Sequence, residues 1–242
     1  MKIVKVSAIA TGVVILFGII LIIPTFMRTG PTQVVLLSFS INDDQNMPTW
    51  CHDLSRILEK QNVKAVVFIT GKIAERYPQC VTSFPNNVDI GSQTYDYVPL
   101  PSIPDYSAQL DEIKNGKIAV DKAGNLDSRV FRAPDGLVDQ NIYSLLEKSN
   151  ILADFSYDKQ YNEYYKGQFI KLDLTAYKGI SHSAAFFRNI STKDPILISF
   201  DNSVPTKDID SLILELKSGN LRFVNTSDLT PDDLTIRKET KS

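Results

Sequence analysis

The sequence predicts an α/β fold in which parallel strands, each followed by a helix, close into a barrel. Short apolar runs of strand length alternate with segments of helical periodicity, and strands that are apolar on both faces are typical of a parallel sheet covered on both sides. Roughly seven or eight such units in about 200 residues favour a barrel. The rival is an open doubly wound sheet, but neither a GxGxxG motif nor a phosphate-binding loop supports it.

The strands and helices are predicted from the apolar pattern and from the residues that interrupt it. The predicted strands span residues 33–39, 63–69, 87–91, 129–131, 151–155, 168–174, 195–200 and 221–224. The predicted helices span residues 50–61, 71–77, 105–122, 140–148, about 182–190 and 207–218. Leu54, Ile57 and Leu58 recur at helical spacing in the first helix, and Pro78 stops the second.

The N-terminal segment predicts one transmembrane helix. Residues 6–27 carry no charged side chain, and roughly 20 apolar residues suffice to cross the hydrocarbon core. Lys2 and Lys5 precede the run and Arg28 follows it, so the positive-inside rule places the rest of the chain outside the cytoplasm. A cleaved signal peptide is the rival interpretation. We therefore divide the chain into an anchor or signal segment at 1–30, a barrel at 31–230 and a flexible polar tail at 231–242.

The net charge argues against one class of partner, and the two cysteines allow a disulfide. A formal net charge of −2 and a pI near 5.7 argue against nucleic-acid binding, which usually needs a basic surface. Outside the cytoplasm, Cys51 and Cys80 are candidates for a disulfide, and the alternative is two separate buried thiols.

Three segments carry a family resemblance. These are VKAVVFITGKIAERYPQCV, FRAPDGLVDQNIYSLLEKSNILADFSYD and PILISFDNS. They resemble the polysaccharide deacetylase family (the NodB-homology domain, carbohydrate esterase family 4), and the resemblance covers about residues 33 to 229. It implies a distorted (β/α) barrel that removes acetyl groups from N-acetylated sugars. It also implies a divalent metal, usually zinc, held by one Asp and two His, with a second Asp as base and a late His as acid.

The residues at the matching positions lack this chemistry. In Ser38-Phe39-Ser40-Ile41-Asn42, Ser40 stands at the position of the base and Ile41 at that of the metal-binding Asp. Gln93 and Tyr97 stand where the resemblance places the two His, and Phe200 where it places the acid. Isoleucine cannot bind a metal, and an amide or a phenol is a poor zinc ligand beside imidazole.

One motif is retained, as Arg132-Ala133-Pro134-Asp135-Gly136. The resemblance implies that Arg132 orients the base, and with that base missing we expect it to pair with Asp43, Asp44 or Asp158. The alternative is a structural turn. The two histidines, His52 and His182, fall on predicted helices away from the strand ends.

These substitutions predict a degenerate, membrane-anchored domain outside the cytoplasm that binds envelope glycan or acts as an envelope scaffold. No catalytic residue is assigned, and no cofactor is expected. Aromatic side chains suited to sugar rings are expected at the mouth: Trp50, Tyr95, Tyr97, Tyr106 and Tyr157. The predicted ligand cleft comprises Asn42, Asp43, Asp44, Gln93, Tyr97, Arg132, Asp158 and Asp201.

Two alternatives remain. The first is an active hydrolase with a rebuilt all-oxygen site for Mg²⁺, Ca²⁺ or Mn²⁺, formed from Asp43, Asp44, Asp96, Asp158 and Asp201. The second is a structural domain that binds a protein partner and whose cleft is filled by its own side chains.

Overall fold

The computed structural model describes residues 33–156, 170–171, 174–177, 180–183, 196–219, 221–229 and 235–237. The predicted anchor at 1–30 lies outside these residues. Within the described ranges, no helix is long and apolar enough to cross a membrane.

Twelve strands and seven α-helices are found in the described ranges. The strands are β1 (Gln33–Ile41), β2 (Ala65–Ile69), β3 (Val88–Ser92), β4 (Leu126–Ser128), β5 (Val130–Phe131), β6 (Ala153–Asp154), β7 (Ile170–Lys171), β8 (Leu174–Tyr177), β9 (Ile180–Ser183), β10 (Ile196–Asp201), β11 (Leu221–Val224) and β12 (Thr235–Arg237). The helices are α1 (Thr49–Gln61), α2 (Gly71–Arg76), α3 (Gln79–Thr82), α4 (Tyr106–Gly124), α5 (Gln140–Lys148), α6 (Thr206–Ser218) and α7 (Thr226–Leu229).

The main sheet is largely parallel, as predicted. Its strand order is β7-β6-β5-β3-β2-β1-β10-β9-β8, and β11 also pairs with β1. The pairs of β1 with β2, β10 and β11 are parallel, as are those from β2 through β3, β5 and β6 to β7. In this register Ser40 lies opposite Asp201, and Ile69 lies opposite both Ile41 and Ser92. The carboxyl ends of these strands therefore meet at one edge.

The described sheet is open, whereas the sequence predicted a closed barrel. Its path ends at β7 and β8, which do not pair with each other in the described part of the chain. At the β8 end, β9 pairs antiparallel with both β8 and β10. An antiparallel hairpin needs no crossover helix, so the alternation of strand and helix fails here.

Three segment predictions need correction. The helix predicted at about 182–190 is wrong at its start, because Ile180–Ser183 forms β9 and places His182 on a strand. The single strand predicted at 168–174 is instead β7 followed by the start of β8. Within the predicted flexible tail, Thr235–Arg237 forms β12, which pairs antiparallel with β4. Ile180–Ser183 contains a single apolar residue, so its sequence has too little periodicity to distinguish a strand from a helix, which explains the first error.

A large apolar cluster holds the strand ends in place. It contains Phe39 and Ile41 of β1, Leu54 of α1 and Ile209 of α6, all fully buried. Successive residues of a strand face opposite sides, so Ile41 lies on the same face as Phe39, and the sheet buries that face against helices. A disulfide between Cys51 and Cys80, both members of this cluster, joins α1 to α3, so the pairing left open by the sequence is formed.

Candidate functional site

A polar cleft of about 320 Å³ opens where β1, β2 and β3 end, and we call it the β1–β3 cleft. It is lined by Asn42, Asp43 and Asp44 after β1, by Thr70, Lys72, Ile73 and Arg76 after β2, and by Tyr95 and Asp96 after β3. In parallel α/β folds, binding sites form at the carboxyl edge of the sheet, because the loops that follow the strands converge there.

The charged side chains of the cleft are largely engaged with one another. Lys72 Nζ lies 3.0 Å from Asp96 Oδ1, and Arg76 donates to Asp44. Asp43 Oδ1 accepts a hydrogen bond from the backbone N–H of Gln45 at 2.7 Å, which forms a local turn. Among the residues that the structure describes, no three His, Cys, Asp or Glu side chains converge as a metal site would require.

The loop after β1 is held by Asn202, which is buried. Asn202 Oδ1 accepts hydrogen bonds from the backbone N–H groups of Asn42 at 3.0 Å and Asp43 at 3.3 Å. Its Nδ2 donates to the Asp43 carbonyl at 2.9 Å, and its own N–H donates to the Ser40 carbonyl at 3.1 Å. The loop after β10 thus fixes one wall of the β1–β3 cleft.

Thr70 contributes a hydroxyl group to a second wall. It precedes α2 at the N-cap position, but its side chain makes no capping hydrogen bond. The residue is only 2% exposed, it lines the cleft, and its hydroxyl has no hydrogen-bond partner among the described residues. The hydroxyl is therefore free to form a hydrogen bond with a ligand or water in the cleft.

The third wall carries a negative field around Tyr95. The Tyr95 hydroxyl donates to Glu75 Oε2 at 2.7 Å, and the Asp96 N–H donates to Glu112 Oε2 at 3.0 Å. The hydrogen bond to Glu75, then burial, and then the charges of Glu75, Asp96 and Glu112 raise the pKa of Tyr95 above its ordinary value. The phenol is therefore a neutral hydrogen-bonding group.

Two of the three positions that the resemblance assigns to metal ligands are occupied by buried side chains that contact the protein interior. Ile41 is fully buried in the apolar cluster. Gln93 is 1% exposed, and its Nε2 donates to the Phe68 carbonyl of β2 at 3.0 Å. Its Oε1 is buried without a partner in the described structure, but one amide oxygen does not make a zinc site.

The third position, Tyr97, also fails the chemistry of a zinc ligand. It is half-buried, has a φ of 59° and is not among the residues that line the cleft. The donor set of Ile41, Gln93 and Tyr97 therefore does not fit the metal that the family uses.

The other positions that the resemblance assigns to the active site also make contacts within the fold. Arg132 is buried, and its Nη1 donates to Ser38 Oγ at 3.0 Å and to Ser199 Oγ at 2.5 Å. Of the three expected partners, Asp43 and Asp44 are engaged instead by Gln45 and Arg76, and Asp158 lies outside the described residues, so pairing with Asp158 stays a prediction.

Phe200, which replaces the acid, stacks on Phe39 with ring centroids 5.7 Å apart. Ser40, at the position of the base, is 5% exposed, and a serine hydroxyl is far less basic than the carboxylate that the resemblance implies there.

The structure brings together only part of the predicted cleft. Asn42, Asp43 and Asp44 line it, and so do Tyr95 and Asp96. Four predicted members are not among the lining residues: Gln93, Tyr97, Arg132 and Asp201. Asp201 instead accepts hydrogen bonds from the N–H and hydroxyl of Ser203. Asp158 and Tyr157 lie outside the described residues.

Two aromatic residues predicted at the mouth have structural contacts elsewhere. Trp50 is buried, and its Nε1 donates to the Val204 carbonyl at 2.9 Å. Tyr106 contacts Ser144 and Lys148 through its hydroxyl. His52 is exposed on α1, as predicted.

The sequence prediction missed one wall of the cleft, which α2 and the residue before it supply: Thr70, Lys72, Ile73 and Arg76. The signal was present, because the predicted strand at 63–69 ends directly before Thr70. Its carboxyl end belongs to the same edge as those of β1 and β3.

Comparison with known proteins gives a family and a fold. The family model described as polysaccharide deacetylase matches residues 28–153, which is more than half of the chain. A comparison with curated proteins finds no match.

Three solved structures illustrate the similarity. Peptidoglycan deacetylase PdaC from Bacillus subtilis is 14% identical, with a TM-score of 0.57 over 82% of this chain and 90% of that one. A family 4 carbohydrate esterase from Streptomyces lividans, solved with acetate, is 16% identical, with a TM-score of 0.60 over 84% of this chain and all of that one (100%). A pseudoenzyme of the same esterase family from Bacillus anthracis is 14% identical, with a TM-score of 0.58 over 82% and 65% of the two chains.

Proposed function

The chain belongs to the polysaccharide deacetylase family, and we propose that it is a degenerate member that binds glycan in the β1–β3 cleft without hydrolysing it. This proposal rests on one observation: at two positions where the family binds its metal, the side chains of this chain make contacts that stabilise the fold. Ile41 is a core residue and Gln93 bridges β3 to β2, so neither is available as a ligand.

The missing groups are those that amide hydrolysis requires. The family mechanism relies on a metal to polarise the acetyl carbonyl and lower the pKa of the attacking water, on a base and on a proton donor. Ser40 is too weak a base, and Phe200 cannot donate a proton. Arg132, the retained group, is buried and contacts serine hydroxyls.

The cleft nevertheless has features that suit a sugar. Asn42, Thr70 and Tyr95 offer neutral polar groups, and the Tyr95 ring gives an apolar face beside them. The structure from Bacillus anthracis that shares this fold is itself described as a pseudoenzyme, so the fold occurs both in deacetylases and in a pseudoenzyme.

The test combines binding and turnover on one sample. The full-length chain, purified in a non-ionic detergent, is titrated by calorimetry with tetramers of N-acetylglucosamine and of glucosamine. The same samples are then assayed for released acetate. We expect binding of at least one tetramer and no acetate above a protein-free blank.

Two results count against this proposal. The absence of binding by both tetramers would contradict glycan binding and favour a scaffold or partner-binding role. Sustained acetate release would contradict the loss of hydrolysis.

A second candidate function, hydrolysis with a rebuilt carboxylate site, rests on one observation. Asp43, Asp44 and Asp96 line the same cleft. Asp44 and Asp96 are each bound to a cation, Arg76 and Lys72, which competes with metal binding. Acetate release that requires Mg²⁺ or Mn²⁺ and is lost in Asp44→Ala would favour this candidate.

We also propose that the domain is held to a membrane by residues 1–30 and faces the outside of the cytoplasm. The Cys51–Cys80 disulfide supports this location, because such bonds persist in oxidising compartments. The bond should already be present in cells whose thiols are blocked by an alkylating reagent before lysis. Recovery of the chain with both thiols alkylated would contradict this location.

A further inference from the structure

We propose that the β1–β3 cleft prefers glycans that carry free amino groups, and are therefore cationic, over fully N-acetylated glycans. This inference rests on the proposed glycan binding and specifies its ligand. It concerns the charge balance of the cleft and a buried hydroxyl group, both of which lie outside the family's metal positions.

The lining of the cleft has an excess of negative charge. Three carboxylates, from Asp43, Asp44 and Asp96, face two cations, Lys72 and Arg76. Both cations are paired with lining carboxylates, whereas Asp43 has only a backbone N–H and no cation as its partner among the described residues. A ligand ammonium group near Asp43 therefore meets a carboxylate that no protein cation neutralises.

Two more carboxylates lie directly behind the cleft wall. Glu75 accepts the hydrogen bond of Tyr95, and Glu112 accepts that of the Asp96 N–H. Their charges, after the hydrogen bond from Tyr95 to Glu75 and burial, contribute to the raised pKa of Tyr95, so the field at this wall favours cations. An acetamido group is neutral and gains nothing from that field.

Thr70 provides a second and independent observation. Its side chain is nine-tenths buried, lines the cleft and has no hydrogen-bond partner among the described residues. A hydroxyl can accept a hydrogen bond from an ammonium group and can donate one to a sugar hydroxyl. It is therefore placed to bind a polyol that bears an amine.

The inference also places the protein in a reaction sequence. A free amino group on an N-acetylated glycan arises when water cleaves the amide C–N bond, which releases acetate and leaves the ammonium form of the amine. Hydrolysis of N-acetyl groups is therefore the class of reaction that must supply this ligand.

The experiment compares three probes on the full-length chain by calorimetry at low ionic strength and neutral pH. They are the tetramer of N-acetylglucosamine, the tetramer of glucosamine and a tetramer of lysine. We expect the glucosamine tetramer to bind at least about fivefold more tightly than the N-acetylated one, the effect of one exposed ion pair. It should also bind more tightly than the lysine tetramer, which has the charge without the sugar.

Variants connect the preference to the cleft. Asp43→Asn and Asp96→Asn should each weaken the glucosamine tetramer by about fivefold and leave the N-acetylated tetramer unchanged. Asp53→Asn is the matched control, because Asp53 is an exposed carboxylate on α1 that pairs with Arg56 away from the cleft. Thr70→Val should weaken the glucosamine tetramer with no loss of thermal stability, since the hydroxyl has no partner to lose.

Each other outcome has a separate meaning. Equal or tighter binding of the N-acetylated tetramer would overturn the preference and leave glycan binding standing. Equal affinity for the lysine tetramer, or an equal loss of affinity in Asp53→Asn, would mean that the protein attracts cations without a specific site. Either result would overturn the inference. Binding by neither sugar would overturn the proposed function and this inference with it.

Discussion

At the scale of single residues, the side chains at the positions that the resemblance assigns to the metal and the acid make structural contacts. Gln93 donates to a carbonyl of β2, Phe200 stacks on Phe39, and Ile41 fills the apolar cluster. Each contact stabilises the fold through burial or a hydrogen bond. Restoring a single histidine or aspartate at these positions would therefore disturb packing before it created a ligand.

The segment around Gln93 depends on a glycine of α4. A Cβ atom at Gly116 would lie 2.3 Å from the Gln93 carbonyl oxygen, which is backbone and cannot rotate away. Gly116→Ala should lower the free energy of unfolding by about 1–3 kcal/mol through overpacking. This holds although alanine is the better helix former by roughly 1 kcal/mol. Urea unfolding followed by circular dichroism measures the change.

Gly219→Ala is the control for this substitution. Gly219 follows α6 with a φ of −83°, and a Cβ atom added there would lie 3.3 Å from the Leu216 carbonyl oxygen. This contact is tight, but a shift of a few tenths of an ångström relieves it, whereas the 2.3 Å contact at Gly116 requires a much larger one. The control should stay within about 0.5 kcal/mol of the wild type. Equal stability of the two variants would mean that α4 does not press against the 93–95 segment.

At the scale of secondary-structure elements, the sequence predicted long and strongly patterned segments well. The β1 strand, helix α1 and helix α5 were predicted with ends within two residues of those observed. The errors fall on short elements such as β9, where four residues do not distinguish a strand from a helical turn. The pairing of β12 with β4 joins distant segments, so no local pattern signals it.

The same limit applies to the site. The strand ends of β1 and β3 could be found because apolar runs stop there, and Asp43, Asp44 and Asp96 do share one cleft. The cations that pair with those carboxylates could not be predicted. Lys72 and Arg76 lie beside them only because β2 pairs between β1 and β3 in the folded sheet. Asn202 lies about 160 residues from the loop that it holds, so only the folded chain reveals its role.

At the scale of the whole molecule, the chain has the fold of its family, and the proposed change concerns the chemistry at the edge of the sheet. The largely parallel sheet still brings the loops after β1, β2 and β3 together, and the sheet's apolar face still packs on helices. What those loops present is a set of ion pairs and hydroxyl groups. Binding can persist in such a cleft after the hydrolytic groups are gone, because recognition needs shape and hydrogen bonds but no activated water.

The proposed loss of the metal site is tested most directly by the metal content of the full-length chain. The purified chain is stripped with chelator, equilibrated separately with Zn²⁺, Mn²⁺ and Mg²⁺, passed through a desalting column and analysed by mass spectrometry of the elements. We predict far less than one metal ion per chain in every case, with the same trace amount in Asp44→Ala. One retained ion per chain, lost in Asp44→Ala, would contradict the account and restore a metal-dependent hydrolase.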